Sequence, residues 1–445
     1  MGEASKIALN AIGKQDTHLL SKDPDESFFQ STNRMLRHSN FRKMHRVRNI
    51  VNPGRVPKWP FGQTVKVKYE PQNMGDLLSN MYLSITMPGL SDGNYADQLG
   101  RHILKTVTMY VDDIEVEKLH DDWGIIYDEL YLEISEKVAN RFLVNRSLGY
   151  DDATDSDSIA SYSSDLMIPL HFFFSRKYAS DEYSSNKPNR PYFPVCAIYK
   201  QKIEFEFEFH TQLFFTDTTD SLELPTFKII TEEITLEADE RNYLATIPQT
   251  FITDIVKKHP SAESTLNIPR LSTNLVPNIP VKCFHWFLRN TQFENLELAT
   301  GDPVPADEEQ YLCQNRFNFS SSSNFDEVDT FFNPIMRSAS FYIKGERLPN
   351  VSNTLHNYYK YLIPFRNRLA RPFRNIYTYS FSMNPINVEP SGNLDFSQIQ
   401  SDKTKIEIEF DETKATLSTN TYTLHMYYTG YQTFKFENGF MSIPY

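Results

Sequence analysis

The sequence predicts an all-β protein built from two similar antiparallel sandwiches of jelly-roll type, one in each half of the chain, with sparse helix. Short segments of alternating apolar and polar residues recur along the chain, and their order in the first half is repeated in the second. Aromatic residues make up 14% of the 445 residues. That is enough to fill two cores, because one buried Phe contributes about 1.5–3 kcal/mol. The length fits two all-β domains of roughly 200–250 residues each.

Two alternating segments show the repeat most clearly. Ile203 to Phe209 reads IEFEFEF, the pattern of a strand with one buried and one solvated face. Ile406 to Phe410 reads IEIEF and repeats that pattern 203 residues later. The matching spacing indicates that both strands occupy the same place in a duplicated unit.

A predicted hairpin precedes each alternating strand. Lys105 to Leu119 turns near Asp112-Asp113, and Arg337 to Val351 turns at Lys344-Gly345. In both halves a long insertion, an aromatic strand and an irregular loop follow the hairpin. The predicted aromatic strands are 168–178 in the first half and 376–385 in the second. The strands that close the two halves are 227–238 and 421–437. The join between the repeats is expected near 238–249.

Two segments are predicted to be helical. Asp121 to Leu143 has the best helical period, and Pro248 to His259 reads as a short helix at the domain junction, capped by Thr250. The apolar residues that give the first segment its period are Ile126, Leu130, Ile134 and Val138.

Composition and motifs argue against several function classes. A net charge of −12 disfavours wholesale nucleic-acid binding, and three scattered cysteines, Cys196, Cys283 and Cys313, fit a reducing compartment. The phosphate-binding, dinucleotide-binding, zinc-protease and serine-nucleophile motifs are absent, as is any H-x-H pair for a cupin metal site. We therefore expect no cofactor, no metal and no catalysis, and we expect His171 and His210 to be structural.

A basic segment lies at one end of this acidic chain. No Asp or Glu occurs from Ser27 to Tyr69. The residues singled out as a candidate inward-facing segment are Arg34, Arg37, Arg42, Lys43, Arg46 and Arg48. The segment could face anionic lipid or nucleic acid, or it could pair with acidic neighbours in the same assembly. We favour pairing, because Phe28, Phe29, Leu36 and Phe41 interrupt the run as core residues would.

Three sequons, at Asn145, Asn318 and Asn350, are chemically eligible for glycosylation. The N-terminal residues lack the charged start and apolar core of a secretory signal. We therefore expect the host machinery to leave these sequons unused.

Several motifs give the chain a family resemblance. Near the N-terminus these are Gln15-Asp16, Phe28-Phe29, Arg37-His38 and Asn40-Phe41, followed later by the strand IPLHFFFSR. The most specific are Tyr379-Ser380-Phe381, Pro390-Ser391-Gly392 and Phe396-Ser397-x-Ile399, and the closing residues 426–445 match as well. With these motifs the sequence resembles the major capsid proteins of nucleocytoplasmic large DNA viruses over nearly its whole length.

The resemblance implies a double jelly roll, with two tandem eight-stranded antiparallel barrels and a few short helices in the loops. It implies division into an N-terminal arm (1–25), a first jelly roll (26–238), a linker (239–249) and a second jelly roll (250–445). It further implies homotrimers of pseudo-hexagonal outline that tile an icosahedral virion shell over an internal membrane, with minor capsid and penton proteins as partners. Assembly would occur in the host cytoplasm, without specific nucleic-acid binding. The long insertions at 143–165 and 294–329 would lie on the outer face.

A rigid loop in the second half is predicted to shape a domain or subunit boundary. Its residues of interest are Pro385, Pro390, Ser391, Gly392 and Phe396. Proline fixes φ in advance and so limits the entropy that such a loop loses on docking. The alternative is a tight turn internal to one barrel.

Three other functions remain as alternatives. A jelly-roll carbohydrate-binding or host-attachment protein need not form trimers, so its mass in solution would distinguish it. A jelly-roll enzyme would contain a metal or a nucleophile motif. A penton or minor capsid protein needs only one jelly roll, which the duplicated pattern disfavours.

Overall fold

The computed structural model of the protein describes residues 42–49, 60–69, 75–90, 95–144, 164–176, 192–216, 222, 225–236, 238–294, 313–322, 333–349, 354–386, 390–397, 399 and 403–444. The fold is mostly β, and each half of the chain contains two antiparallel sheets. The apolar faces of the sheets form the core, since the inward residues of the long strands whose side chains the structure describes are buried. The tandem all-β prediction is confirmed.

The first half forms a five-stranded and a four-stranded sheet. The five-stranded sheet has the order β1-β9-β3-β6, with β7 also paired to β3, and the four-stranded sheet has the order β2-β8-β4-β5. The strands are β1 Arg42–Asn49, β2 Thr64–Tyr69, β3 Leu77–Met87, β4 Leu104–Val111, β5 Ile114–His120, β6 Ser164–Pro169, β7 Phe193–Pro194, β8 Ile203–Phe209 and β9 Thr226–Thr235.

The second half forms a six-stranded and a four-stranded sheet. The larger sheet has the order β10-β18-β13-β16, with β11 and β19 also paired to β18, and the smaller has the order β12-β17-β14-β15. The strands are β10 Gln249–Lys258, β11 Ala262–Glu263, β12 Arg270–Asn274, β13 Val281–Asn290, β14 Met336–Ile343, β15 Glu346–Leu348, β16 Tyr377–Ser380, β17 Lys405–Phe410, β18 Tyr422–Glu437 and β19 Phe440–Ser442.

The two halves follow the same path. Strands β1, β2, β3, β4, β5, β6, β8 and β9 correspond in order and pairing to β10, β12, β13, β14, β15, β16, β17 and β18. Even the irregularities coincide, because β3 has a bulge between Leu78 and Asn80, and β13 has one between Val281 and Cys283. We call the two units barrel 1 and barrel 2.

The predicted alternating strands and hairpins are confirmed. In β8 the apolar residues are buried and the glutamates half-buried, and β17 shows the same pattern. Both hairpins turn where expected, with positive φ at Asp112 (47°) and Asp113 (65°), and at Lys344 (54°) and Gly345 (85°). Paired positive φ values suit the right-handed twist of the strands that such turns connect.

The helical predictions need two corrections. The segment from Asp121 to Leu143 forms two helices, and Ile134 and Val138 point to solvent instead of continuing the buried face. Within 248–259, Gln249–Lys258 form strand β10, because pairing with β18 suits its Thr, Ile and Val residues. The helices are α1 Leu99–Ile103, α2 Asp121–Leu130, α3 Ile134–Val144, α4 Ala238–Thr246 and α5 Ile363–Arg366. Shorter turns lie at Val195–Ile198, Gln212–Phe214, Thr291–Phe293, Cys313–Phe317 and, with π-helical bonding, Tyr358–Leu362.

One further segment differs from expectation. The aromatic segment 168–178 is a strand only to Pro169, after which Phe172, Phe173 and Phe174 are buried in a turn. Helix α4 occupies most of the expected linker 239–249. The expected outer insertions lie largely outside the described residues. Within the described part of the chain, no helix has the length and apolar character needed to cross a membrane.

Candidate functional site at the seam between the barrels

Helix α2 lies between the two barrels and is buried along its whole length. All ten of its residues are buried, although four of them are acidic. The helix begins directly after β5. Its first two residues, Asp121 and Asp122, are stabilised by the positive end of the helix dipole at the N-terminus. A helix this acidic requires basic partners when it is buried. We call the contacts of α2 and its neighbours across the two barrels the seam.

The first turn of α2 binds arginines of barrel 2. Arg316 donates to Asp121 Oδ2 from two nitrogens, at 2.8 and 3.1 Å, and His210 of barrel 1 lies 3.0 Å from the same oxygen. Asp122 accepts hydrogen bonds from Arg289 and from the hydroxyl of Tyr427, the latter at 3.2 Å. These bonds attach the start of the helix to the second barrel.

The last turn of α2 is held from both sides. Arg101 of barrel 1 donates to both oxygens of Asp128, at 2.9 and 3.0 Å. Arg374 of barrel 2 donates to Glu129 at 2.9 Å, and the backbone N–H of Phe373 donates to the other oxygen of Glu129 at 2.8 Å. The same helix therefore carries one ion pair within barrel 1 and one across the seam.

A fifth buried acid, Glu117 of β5, lies beside the helix. It accepts hydrogen bonds from the backbone N–H groups of Phe173, at 2.8 Å, and Val256, at 2.9 Å, and it pairs with Arg176. Arg176 also donates to the carbonyl of Asp254 in barrel 2, at 3.0 Å. Val256 and Asp254 lie on β10, so Glu117 ties the first strand of barrel 2 to barrel 1.

Histidines and aromatic rings fill the space between these ion pairs. His285 of barrel 2 is hydrogen-bonded to the Tyr131 hydroxyl and to the Thr378 hydroxyl, each at 2.9 Å. The ring of Tyr127 stacks on that of His171, with 3.9 Å between centroids. His171 and His210 are therefore buried and hydrogen-bonded, as expected of structural histidines.

Burial and ion pairing set the charges of the seam. Burial lowers the pKa of His285 to about 3 and that of His171 to about 4, so both are neutral near pH 7. Burial alone would raise the pKa of Asp121, but Arg316 and His210 outweigh it and hold that pKa well below its usual range. Burial is likewise outweighed at Glu294, where Arg289 and His425 lower the pKa to about 2.

The side chains of the seam hold the two barrels together. Each acid already has basic or backbone donors, and no group of three His, Cys, Asp or Glu side chains in the described part of the chain is placed to hold a metal. The arrangement fixes one barrel against the other. Sequence reasoning missed this site. The acids of DDWGIIYDEL, at helical spacing on both faces, were its only local signal.

The comparisons with known proteins decide the family. A sequence profile described as large eukaryotic DNA virus major capsid protein matches residues 232–442, and one described as major capsid protein N-terminus matches residues 27–212. The chain belongs to the major capsid proteins of large eukaryotic DNA viruses. The resemblance found in the sequence motifs is thereby confirmed.

Curated relatives agree with this assignment. The chain is 20% identical to the major capsid protein of Paramecium bursaria Chlorella virus 1 over 411 residues, covering 88% of this chain and 84% of the relative. It is 25% identical to the major capsid protein of Pyramimonas orientalis virus over 313 residues, covering 67% of this chain and 66% of that one.

Solved structures share the fold. PBCV-1 VP54 superposes with a TM-score of 0.67 at 17% identity, over 94% of this chain and 100% of that one. The Faustovirus major capsid protein gives a TM-score of 0.63 at 10% identity, over 88% of this chain and 90% of that one. These structures show the fold, and membership of the major capsid protein family makes the protein a component of the virion capsid.

The predicted rigid loop of the capsid protein folds back onto barrel 2. Phe396 is buried and packs its ring against Phe284, with 5.7 Å between centroids. Ser391 Oγ is 2.5 Å from the hydroxyl of Ser382 and accepts from the Asn384 N–H at 3.1 Å. Pro385 is buried, whereas Pro390 and Gly392 are exposed in the single chain. The corner formed by Pro390 and Gly392 is exposed in the single chain, and the role of the loop at a domain or subunit boundary stays a prediction.

The basic segment is described only in part. Arg34 and Arg37 lie outside the described residues. Arg42, Lys43, Arg46 and Arg48 lie on β1, which pairs with β9 along its whole length, from Arg42 opposite Thr235 to Asn49 opposite Lys228. The strand forms one end of the sheet order, so the segment lies along an edge of barrel 1.

The three sequons have different positions. Asn145 and Asn350 lie outside the described residues. Asn318 is fully buried, and its amide donates to Asn315 Oδ1 at 3.1 Å and to the Ser322 carbonyl at 3.0 Å. Its own oxygen accepts from the hydroxyl of Ser320 at 2.6 Å. This burial disfavours a glycan at Asn318 in the folded chain.

Proposed function

We propose that this capsid protein forms homotrimers of pseudo-hexagonal outline, which tile the icosahedral shell of a large DNA virus. The observation that supports the proposal is the repeated strand order of the two barrels, joined by the buried seam. Three chains supply six barrels of one design, and a rigid seam keeps the two barrels of each chain at a constant angle. Closed cyclic symmetry is the usual outcome for such repeated contacts.

In this proposal the chain is structural and performs no catalysis. The titratable side chains of the seam support it, because their hydrogen-bonding capacity is taken up by other side chains and backbone groups. Their arrangement stabilises the contact between barrels and leaves them little freedom to exchange protons with a substrate.

Solution mass and particle shape test the proposal. Light scattering of purified protein should give about 156 kDa, three times the chain mass of 51.9 kDa. Negative-stain images should show particles with a three-lobed or hexagonal outline. A monomer of 51.9 kDa that binds glycans would instead support the carbohydrate-binding or host-attachment alternative.

We also propose the finer features that the family resemblance implies. The chain would divide into the arm 1–25, the barrels 26–238 and 250–445 and the linker 239–249, with α4 in that linker. Assembly would take place in the host cytoplasm, with minor capsid proteins, penton proteins and an internal viral membrane as partners. The loop 385–396 would face a neighbouring subunit through its exposed corner at Pro390.

The basic segment is proposed to pair with acidic neighbours of the same assembly. The test is a variant in which Arg42, Lys43 and Arg46 are all replaced by Glu, examined for capsomer association and for flotation with anionic vesicles. Loss of association without any vesicle binding by the natural protein would support pairing. Vesicle binding that the variant loses would support the lipid-facing alternative, and no change in either assay would exclude both.

A further inference from the structure

Three histidines of the seam contact the opposite barrel. The ring of His102, on α1, lies 4.3 Å from that of Phe317 in barrel 2, measured between centroids. The ring of His120, at the end of β5, lies 5.9 Å from that of Tyr427 on β18. The third is His285 of β13, which is hydrogen-bonded at 2.9 Å to a hydroxyl group of barrel 1. Imidazole rings therefore form part of the contact between the barrels.

These three histidines differ in their partners from other histidines of the seam. His102 is hydrogen-bonded to the Gln98 carbonyl, and His285 to the uncharged hydroxyls of Tyr131 and Thr378. The histidines that instead have a carboxylate partner are His171 with Asp128, His210 with Asp121 and His425 with Glu294. A proton added to a ring of that second group is met by a negative charge. A proton on His102 or His285 is not balanced by the groups bonded to it.

Charged groups of both barrels act on the rings of His102 and His120. Those that act on His102 are Arg316 of barrel 2, and Asp97 and His210 of barrel 1. Those that act on His120 are Lys258 of barrel 2, and Lys118, Asp121 and Asp122 of barrel 1. The two helix acids already bind arginines, and Asp97 lies 3.7 Å from Arg374. Arg316 and Lys258 therefore oppose a positive charge on these rings from across the seam.

The buried acids of the seam are matched by arginines. The ion pairs are Glu117 with Arg176, Asp121 with Arg316, Asp122 with Arg289, Asp128 with Arg101 and Glu129 with Arg374. Burial disfavours any further charge in such a contact. It lowers the pKa of His102 to about 3 and that of His120 to about 4, so both rings are neutral while the seam is closed. In solvent a histidine titrates near 6.5.

We infer that protonation of His102, His120 and His285 in mild acid opens the seam, while each barrel keeps its own fold. An open seam brings the three rings into water, where their positive charges are solvated and lie away from Arg316 and Lys258. The sheets of each barrel pair only within that barrel, so their backbone ladders do not depend on the seam. In an acidic compartment the capsid protein would thus lose the fixed angle between its barrels. The inference rests on contacts within one chain and does not require the proposed trimer.

Hydrogen exchange followed by mass spectrometry on the whole protein tests the inference. Peptides from α2 report on the seam, because an isolated helix of ten residues is marginal in water and exchanges once it is released. Peptides from β8 and β17 report on the two barrels. As the pH is lowered from about 7 to 4.5, within the interval between the free and buried histidine pKa values, α2 should lose its protection while β8 and β17 still exchange slowly. The loss should approach about tenfold per pH unit for each histidine that takes up a proton.

Glutamine variants identify the groups responsible. A triple variant, with His102→Gln, His120→Gln and His285→Gln, should keep α2 protected to a lower pH than the natural protein, because glutamine takes up no proton. His356→Gln is the matched control, since His356 is a half-buried histidine of barrel 2 outside the seam, and it should leave the opening unchanged. Circular dichroism and thermal unfolding at neutral pH establish that each variant is folded. The three single variants, each with a smaller shift in the same direction, replace the triple variant if it does not fold.

Two results would overturn the inference. One is a loss of protection in α2, β8 and β17 at the same pH, which would show that acid unfolds the barrels together with the seam. The other is a set of seam variants that open at the same pH as the natural protein and the His356→Gln control. A natural protein that is monomeric would overturn the proposed trimer and leave the exchange of α2 as the test of the seam.

Discussion

Arg316 and Asp121 are 195 positions apart in the sequence, yet the Arg316 guanidinium donates two hydrogen bonds to one oxygen of the Asp121 carboxylate. Both side chains are buried. Arg316 belongs to the short helical turn Cys313–Phe317 of barrel 2, and Asp121 begins α2 of barrel 1. The ion pair therefore joins the barrels, and the loss of either partner leaves a buried charge at their contact.

Removal of this arginine should strongly destabilise the protein. Arg316→Met leaves the buried Asp121 carboxylate without its arginine, with only His210 and the backbone N–H of Asp122 as hydrogen-bond partners, and breaking a buried ion pair costs about 3–5 kcal/mol. Urea unfolding followed by circular dichroism would measure the loss in unfolding free energy. We expect the barrels of the variant to unfold in separate transitions, because their connection is weakened.

A surface ion pair provides the control for this prediction. Lys66 pairs with Glu206 at 3.0 Å, but the Lys66 side chain is mostly in solvent. Lys66→Met should leave the urea midpoint nearly unchanged, because solvent screens exposed pairs. Equal midpoints for Arg316→Met and Lys66→Met would show that the seam does not depend on its charges.

Acid should weaken the protein in two stages. Histidine in an unfolded chain titrates near 6.5, whereas burial lowers the pKa of His285 to about 3 and of His171 to about 4. Between about pH 6.5 and 4 the unfolded chain therefore binds protons that the folded chain does not, and unfolding free energy falls as pH falls. The depressed pKa of Glu294, about 2, gives stability that is present above about pH 4.3 and lost as pH falls toward 2.

Urea midpoints measured from pH 7.5 to 4.5 would check the first stage. His285→Gln removes one titrating group while retaining hydrogen-bonding capacity toward Tyr131 and Thr378. The variant should show a shallower fall in stability over that range than the natural protein. A pH-independent midpoint in the natural protein would contradict the assignment of neutral buried histidines.

Local patterning was sufficient to predict the strands with one buried face. The alternation in β8 and β17 survives in the structure because each faces a core on one side only. The same reasoning was wrong for Gln249–Lys258, which forms a strand buried at 251 and at 253–256. Pairing with the long strand β18 decided that segment, and spacing within ten residues carries no information about such a partner.

The seam could not be predicted in the same way. Acids on both faces of a short helix normally indicate a solvated segment. Here α2 is buried because Arg101 of barrel 1 pairs with it, as do arginines from distant parts of barrel 2: Arg289, Arg316 and Arg374. The break between α2 and α3 follows from the same packing. Barrel 2 covers α2 up to Leu130, and beyond it Ile134 and Val138 lie in solvent.

A glycine in the predicted loop should be intolerant of substitution. Gly392 has φ of +132°, and a Cβ there would lie 2.8 Å from the Phe381 carbonyl oxygen. Gly392→Ala should therefore destabilise the protein by about 1–3 kcal/mol, through backbone strain and this clash. Gly345→Ala is the matched control, because Gly345 also has positive φ but nothing lies within 4 Å of its Cβ position. Urea unfolding that ranked Gly345→Ala as the more damaging change would refute the prediction.

The buried sequon allows a last prediction, which concerns a change of a single side-chain group. Asn318→Asp replaces an amide that donates to Asn315 Oδ1 and the Ser322 carbonyl by an oxygen that repels both. Each buried acceptor that loses its donor costs about 1–3 kcal/mol, so we expect a loss of at least about 2 kcal/mol in urea unfolding. Asn242→Asp, at an exposed position on α4, should have little effect.

Peptide mass spectrometry of protein from host cells should find Asn318 unmodified, and a glycan there would show that this part of barrel 2 folds differently.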